Sequence, residues 1–398
     1  MDTGGGKGFD ASPPIHASEA HSEHPQNLMQ WAAIRFRLWR SRQIASPRFR
    51  TLVSRMPLLR QIANRKANHL FRLTTGFVHT QILSACVGLG IFEALDGKAL
   101  TTSAIAARCR MPSDAMRRLL EQARRLDLVV SFSPDLWLLS DAGTVLAADR
   151  GLREMIRHHD MLYRDLADAS GFWRGDHSDT ELRRYWAYVR GSDPANLDNE
   201  EAAPYSALMR ESQAMLADCL LASHDFGQYR SVLDVGGGEG AFLAALGARH
   251  SATRLALFDL PAVTQLAARH LQELDLLGRS TLHPGDFTRD PIPADQDCVT
   301  LIRIICDHDD DRVLKILANL HRHLAPGTHL LVAEAMAGTA DGPNLAAIYF
   351  TSYFAAMGSG RCRTPGEIIA LLARSGFVDA SVVTTTNPLL AGLVVARR

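Results

Sequence analysis

The run Val232-Leu233-Asp234-Val235-Gly236-Gly237-Gly238-Glu239-Gly240-Ala241 has the make-up of a ligand-cradling turn. An apolar strand meets a cluster of glycines and then the start of a helix at Phe242–Leu246. It satisfies the dinucleotide pattern G-x-G-x-x-A, which alone is a weak signal. Asp234 and Glu239 argue against a pyrophosphate, because carboxylates beside the glycines would repel it. They suit a cationic ligand that lacks phosphate. S-adenosylmethionine, with its ammonium and sulfonium groups, is such a ligand. Asp259 ends the next strand, 23 residues after Gly236, where a carboxylate can accept hydrogen bonds from both ribose hydroxyls. Gly285-Asp286-Phe287 follows the third strand and can bracket an adenine. There Asp286 would accept from the amino group and Phe287 would pack on the ring face. Each piece alone is also an ordinary turn, but the ordered series is more specific.

Such a site needs a sheet to hold it. From Ser231 onward, strands alternate with helices: SVLDV, LALF, TLHPG, CVTLIRII, HLLVAE and a final pair near Ser381–Thr384 and Gly392–Ala396. This alternation predicts an α/β fold with an open, mostly parallel sheet covered by helices. Upstream, Thr101–Arg108 and Met111–Leu126 read as helices. Asp127–Leu139 reads as a β-ribbon turned at Ser133-Pro134-Asp135, which completes a winged-helix pattern. Gly76–Leu95 reads as a buried helix leading into that module. Residues 150–225 look helical and are rich in aromatics: Tyr163, Phe172, Trp173, Tyr185, Trp186, Tyr188 and Tyr205. Leu28–Phe71 mixes apolar and basic residues, with Trp31, Ile34 and Leu38 on one side. Pro47 and Pro57 cut it into short helices. The predicted domains are a disordered segment 1–26, a basic helical arm 27–72, a winged-helix module 73–150, a helical linker and pocket region 151–225, and the α/β domain 226–398.

The 398-residue chain sets 43 Lys and Arg against 43 Asp and Glu, but its neutrality is only a sum. Between His24 and Phe92 there are eleven basic residues and no Asp or Glu, a net of +11 balanced by −11 elsewhere. With Trp31, Phe36, Leu38 and Trp39 among them, this segment predicts reversible association of residues 28–72 with an anionic membrane surface. The competing role is a solvated dimer arm. The six cysteines form no CxxC pair, so no metal site or disulfide framework is expected and a cytoplasmic setting is, with the inner membrane surface nearby. The uncharged stretch Thr74–Phe92 is too polar for a membrane span.

The order LDVGGGEG, FDLP, GDF, DHDDDRVLKIL, LLVAE and RTPGEIIALLARSGF resembles the S-adenosylmethionine-dependent small-molecule O-methyltransferases that carry a winged-helix dimerisation domain. Within them the chain is most similar to the bacterial carotenoid O-methyltransferases of hydroxyneurosporene and demethylspheroidene type. That finer likeness rests on RQIANRKANHLFRLTTGFVHTQILSACVGLGIFEAL, HHDMLYRDLAD and FAAMGSGRCRTP. The resemblance implies a doubly wound Rossmann-like domain, a homodimer, S-adenosyl-L-methionine as methyl donor, and no nucleic-acid partner. It assigns Gly236, Gly238, Asp259, Asp286 and Phe287 to the donor, with Arg303 a further candidate.

One departure bears on mechanism. Phenol-methylating members carry His-Asp-Trp after the fourth strand, where the His is general base, and a Glu before Arg-Thr that orients it. Here those positions hold Cys306, followed by Asp307 and His308, and Cys362 before Arg363-Thr364. A phenol, with a pKa of about 10, gives its proton usefully to an imidazole. A tertiary aliphatic alcohol is a much weaker acid, so its methylation leans on orientation in a dry site. Carotenoids of this class carry such hydroxyls. Asp307 and His308 are the remaining candidates for the proton. His159, Tyr163, Tyr353, Phe354 and Met357 are expected to wall a hydrophobic substrate. Competing readings are C-methylation of a bacteriochlorophyll precursor, with His158 or His159 facing its metal, a donor-binding homologue without methyl transfer, and a winged-helix DNA binder.

Overall fold

The computed structural model describes residues 28–176, 178–185, 213–338 and 345–398. The expected disordered segment, and Trp186, Tyr188 and Tyr205, lie outside the described residues. The chain divides into two compact units, 1–79 and 80–398.

In the first unit, Pro47 and Pro57 each open a helix at a position where no backbone N–H is needed, giving Leu28–Ala45, Pro47–Arg55 and the start of Pro57–Gly88. Several expectations are corrected here. The third helix is not short: it runs 32 residues, because nothing between Pro57 and Gly88 breaks it, so the predicted boundary at 72/73 falls inside it. Only its last residues, Cys86 and Val87, are buried, so the buried helix expected from Gly76 is buried only at its end. Nor does Leu28–Ala45 have one apolar side. Phe36, Trp39 and Ile44 point away from the stripe of Trp31, Ile34 and Leu38, and no residue of that helix is buried.

In the second unit the winged-helix pattern forms as predicted. Helices Thr102–Arg108 and Ser113–Arg125 precede an antiparallel ribbon, β1 (Val129–Ser133) and β2 (Leu136–Leu139). Their apolar faces, with Ile91, Phe92 and Leu95, enclose Trp137. Its indole Nε1–H donates to Thr102 Oγ1 at 2.9 Å, and that hydroxyl donates in turn to Asp135 in the ribbon turn.

The α/β body is a seven-stranded sheet of β3 (Ser231–Val235), β4 (Arg254–Asp259), β5 (Ser280–Pro284), β6 (Cys298–Ile302), β7 (His329–Glu334), β8 (Val378–Val383) and β9 (Gly392–Arg397), in the order β5-β4-β3-β6-β7-β9-β8. β3 to β7 are parallel, and β9 returns antiparallel between β7 and β8. The central strands are buried on both faces: Leu233 and Val235 pack with helices Asp310–His323 and Pro365–Arg374, whereas Val232 packs with Phe242 and Leu246 on the other side. The winding direction reverses between β3 and β6, so the carboxyl ends of those strands flank the crevice where doubly wound sheets bind ligands.

Replacing Thr102 by Val keeps the side-chain shape but leaves the buried Trp137 N–H without its acceptor. The expected outcome is a loss of about 1–3 kcal/mol, read as a lower midpoint in denaturant unfolding. An unchanged midpoint would show that this hydrogen bond does not hold the ribbon to the helix.

Candidate functional site at the carboxyl ends of the strands

β3 delivers Asp234 and then the glycines. A small enclosed cavity there is lined by Asp234, Gly236, Gly237, Phe242 and Ile302, with Gln213 and Ala217 from the helix over 213–223. Gly236 has φ +74°, and a Cβ on it would lie 2.4 Å from Ile304 Cδ1. A Cβ on Gly237 would lie 2.6 Å from Asp234 Oδ2. The turn is thus compressed onto its neighbours and only glycine fits.

Asp259 ties this turn to β4: Oδ2 accepts from Gly238 N at 2.9 Å and Oδ1 from Leu260 N at 2.7 Å. Asp286 shapes its own loop, with Oδ1 accepting from the N–H and hydroxyl of Thr288 at 2.9 and 2.6 Å. Burial works to raise its pKa, but those bonds and the nearby Arg289 hold it below the ordinary value. Phe287 comes within reach of Gly236 and faces His308, ring centres 6.2 Å apart. The structure therefore brings together Gly236, Gly238, Asp259 and Phe287, with Asp286 at their margin.

The electrostatics suit a cationic ligand. Asp234 is 2% exposed and its carboxylate accepts from Thr300 Oγ1 at 2.6 Å. Burial, only partly offset by that bond, pushes its pKa up to about 7. Burial also raises Asp259, against the pull of its two backbone donors. Both groups would gain from a nearby positive charge, and the glycines leave room for one, so the residues present fit the methyl donor.

Arg303 sits elsewhere. It takes the left-handed φ of +58° just past β6, so its guanidinium lies 4.7 Å from the centre of the Phe350 ring and donates to Leu390 O at 2.7 Å. That lays it on the aromatic helix Leu345–Met357, a conformation no motif announces.

Of the residues expected to wall the substrate, Tyr353, Phe354 and Met357 are buried in one apolar cluster. Leu162, Phe172, Leu182, Cys306, Tyr353, Phe354 and Met357 are buried together, with Tyr185, Tyr349, Phe350 and Cys362 packed against them. Tyr163 is outside this cluster, and Leu162 takes its place one position earlier on the helix Arg150–Asp165. His158 Nε2 pairs with Tyr353 OH at 2.8 Å and His159 Nε2 with Tyr349 OH at 2.9 Å. Burial lowers both imidazoles, His158 to about 4. Both imidazoles are thus held toward the neutral form, each with its Nε2 engaged by a tyrosine hydroxyl. Tyr349 and Phe350 are marked in the sequence by their i, i+4 spacing to Tyr353 and Phe354, whereas Leu162 and Leu182 carry no local signal for this cluster.

The loop after β6 is organised by Arg363, 2% exposed. Its guanidinium donates to the carbonyls of Ile305 and His308, both at 2.7 Å, and to Asp310 Oδ1 from Nε at 2.9 Å and Nη2 at 2.6 Å. Asp310, in the first turn of the helix Asp310–His323, is thus also an arginine partner. Cys306 is buried in the aromatic cluster and Cys362 packs against it. His308 turns to Phe287, while Asp307 Oδ1 lies 3.6 Å from the Cys306 thiol.

Between them stands a residue the sequence reading passed over. Glu334, ending β7 and 1% exposed, accepts through Oε1 from Ile304 N at 3.0 Å and Ile305 N at 2.9 Å. Burial pushes its pKa up to about 7, opposed by bonding to Cys306 and by the Arg303 charge. The folded state binds the protons of Asp234 and Glu334 more tightly than the unfolded chain does. Their contribution to stability is complete below about pH 4 and is lost as pH rises through about 7. Thermal unfolding should show this decline, and Asp234→Asn should make it shallower. An identical slope in the variant would remove Asp234 from the explanation.

Comparison with known proteins places these features. An O-methyltransferase domain model matches residues 163–378, and an O-methyltransferase dimerisation domain model matches residues 71–149. The chain is 38% identical over 357 residues to the demethylspheroidene O-methyltransferase of Cereibacter sphaeroides, covering 90% of this chain and 94% of that protein. It is also 38% identical to the enzyme of the same name from Rhodobacter capsulatus, over 89% and 88% of the two chains. The fold is shared with human N-acetylserotonin methyltransferase, solved in complex with SAM, at a TM-score of 0.67 and 22% identity over 84% of this chain and 97% of that one. With its α/β body, dimerisation module and carboxylate-lined donor crevice, the chain belongs to the S-adenosylmethionine-dependent O-methyltransferase family.

Proposed function

We propose that the protein moves the methyl group of S-adenosylmethionine to a tertiary hydroxyl of an acyclic carotenoid of the hydroxyneurosporene and demethylspheroidene type. The observation that carries the reading is the pair of cysteines at the base and orienter positions, both packed in an aromatic cluster. Such a centre lacks the imidazole that serves phenols and offers an apolar wall to a polyene. The likeness to the two demethylspheroidene enzymes supports the same substrate class.

In this reading Gly236 and Gly238 let the donor approach the backbone, Asp234 and Asp259 supply negative charge beside it, and Asp286 and Phe287 border its adenine. The bound donor supplies an electrophilic methyl on a sulfonium. Tyr353, Phe354, Met357 and His159 line the polyene side. Holding the hydroxyl in line with that methyl is worth up to about 7–11 kcal/mol in favourable systems. The protein works as a homodimer through residues 71–149. Incubation with labelled donor and hydroxylated acyclic carotenoid should place label in a methyl ether. Label absent from the carotenoid fraction, with the donor bound, would sink this substrate class.

The arm completes the picture. No helix among the described residues is long and apolar enough to cross a membrane, yet residues 28–72 carry the eleven basic side chains beside exposed Trp31, Phe36, Leu38 and Trp39. We propose that they hold the enzyme reversibly on anionic lipid, where a polyene dissolves. Replacing Arg35, Arg37, Arg40 and Arg42 by Gln should weaken sedimentation with anionic vesicles while donor affinity stays constant. Unchanged vesicle binding would assign the arm to the dimer instead.

A further inference from the structure

The loss of both the imidazole base and its orienting Glu leaves open where the hydroxyl proton goes. Two side chains at adjacent strand ends bear on this. Glu334 is the last residue of β7, and Arg303 follows β6, joined to β7 by its N–H to Ala333 O at 2.9 Å. Each has one buried polar atom with no hydrogen-bond partner among the described residues: Glu334 Oε2, an acceptor, and Arg303 Nε, a donor. Buried polar groups in folded proteins are nearly always paired, so an orphan pair calls for a ligand group. A hydroxyl can satisfy both, donating to the carboxylate and accepting from the guanidinium.

The surroundings favour this use. Glu334 is fixed through Oε1 by two backbone donors, which leaves Oε2 for chemistry. The Cys306 and Cys362 thiols, both within electrostatic reach of this carboxylate, stand at the positions where the resemblance expects His and Glu. Both are smaller than the residues they replace. Arg303 lies on Phe350 of the aromatic cluster, so the pair borders the apolar wall.

We propose that Glu334 is the proton acceptor of this enzyme and that Arg303 positions the substrate hydroxyl beside it. The inference rests on the methyl-transfer reading above. As the substrate oxygen bonds to the methyl carbon, the methyl–sulfur bond breaks and its electron pair stays on sulfur. The hydroxyl proton passes to Glu334 Oε2, so that a sulfonium and a carboxylate become a thioether and a carboxylic acid. A tertiary alcohol is too weak an acid to give its proton up beforehand. Its oxygen turns acidic as the new bond forms, and from that point a carboxylate suffices. Burial, which holds Glu334 at about 7, strengthens it as a base near neutral pH.

The test is the pH dependence of kcat for the full-length protein at saturating donor and hydroxylated carotenoid. The wild type should lose activity as pH falls through about 7, when Glu334 takes up its proton. Glu334→Gln keeps a carbonyl oxygen for the Ile304 and Ile305 N–H groups. It should lower kcat by about 10²-fold or more, abolish the acidic limb and leave donor affinity unchanged. Cys306→Ala should keep the limb. If Glu334→Gln does not fold, Glu334→Asp serves: a lower kcat with the limb retained supports the assignment. A Gln variant with wild-type kcat, a limb that survives in it, or a wild type without a limb overturns the assignment. Wild-type protein that binds donor but never methylates the carotenoid overturns the substrate class instead. The same profiles are then read with a phenolic acceptor, on which Glu334→Gln should again lose the limb and an unchanged profile rejects Glu334.

Discussion

Carboxylates withdrawn from water without a cation to pair them are costly in a protein interior, and this α/β body places them at the carboxyl ends of its central strands. Asp234 ends up beneath the glycine turn, held by one threonine hydroxyl, and Asp259 is held by two backbone amides. Glu334 stands at the end of β7 on two more amides. The contacts of Asp234 and Asp259 do not neutralise their charge, whereas Glu334 feels the Arg303 guanidinium, so the glycine crevice is poised for a positive partner. The compression of Gly236 and Gly237 onto Ile304 and Asp234 follows from the same arrangement, since the backbone must approach closely for any ligand to meet those carboxylates.

Much of the remaining architecture serves to hold the loop after β6 against this centre. Arg363 does most of that work from within the protein, bonding two carbonyls and the Asp310 carboxylate. It fixes where Cys306, Asp307 and His308 lie. His308 then falls on the Phe287 side and Cys306 on the aromatic side. The paired contacts of His158 with Tyr353 and His159 with Tyr349 lock the helix Arg150–Asp165 to Leu345–Met357, and the neutral imidazoles keep that wall free of charge.

The first unit follows a different logic. Its first two helices have no buried residue, and they carry tryptophan and phenylalanine among arginines with no acidic side chain between His24 and Phe92. Proline sets the helix starts there, and the apolar residues of Leu28–Ala45 are distributed around the helix. Segregation of charge along the chain, hidden in a net charge of zero, separates this basic unit from an acidic body.

The sequence by itself determined the alternation of strands and helices, the winged-helix module and the order of the glycine turn, Asp259 and Asp286. These are local: a period of two, a period of 3.6 and turn residues are written in neighbouring positions. It also displayed the exchange of both base and orienter for cysteine, because a short anchored motif carries that information. Only the tertiary structure decided which side chains meet. That Glu334 lies between Cys306 and Cys362, that Arg303 swings to Phe350 through a positive φ, that Leu162 rather than Tyr163 joins the wall, and that Arg363 clamps the loop all depend on strand order and on contacts between residues far apart in the chain. A strand-ending glutamate in LLVAE looks like any polar terminus until the pairing of β6 with β7 brings the loop after β6 over it and buries it.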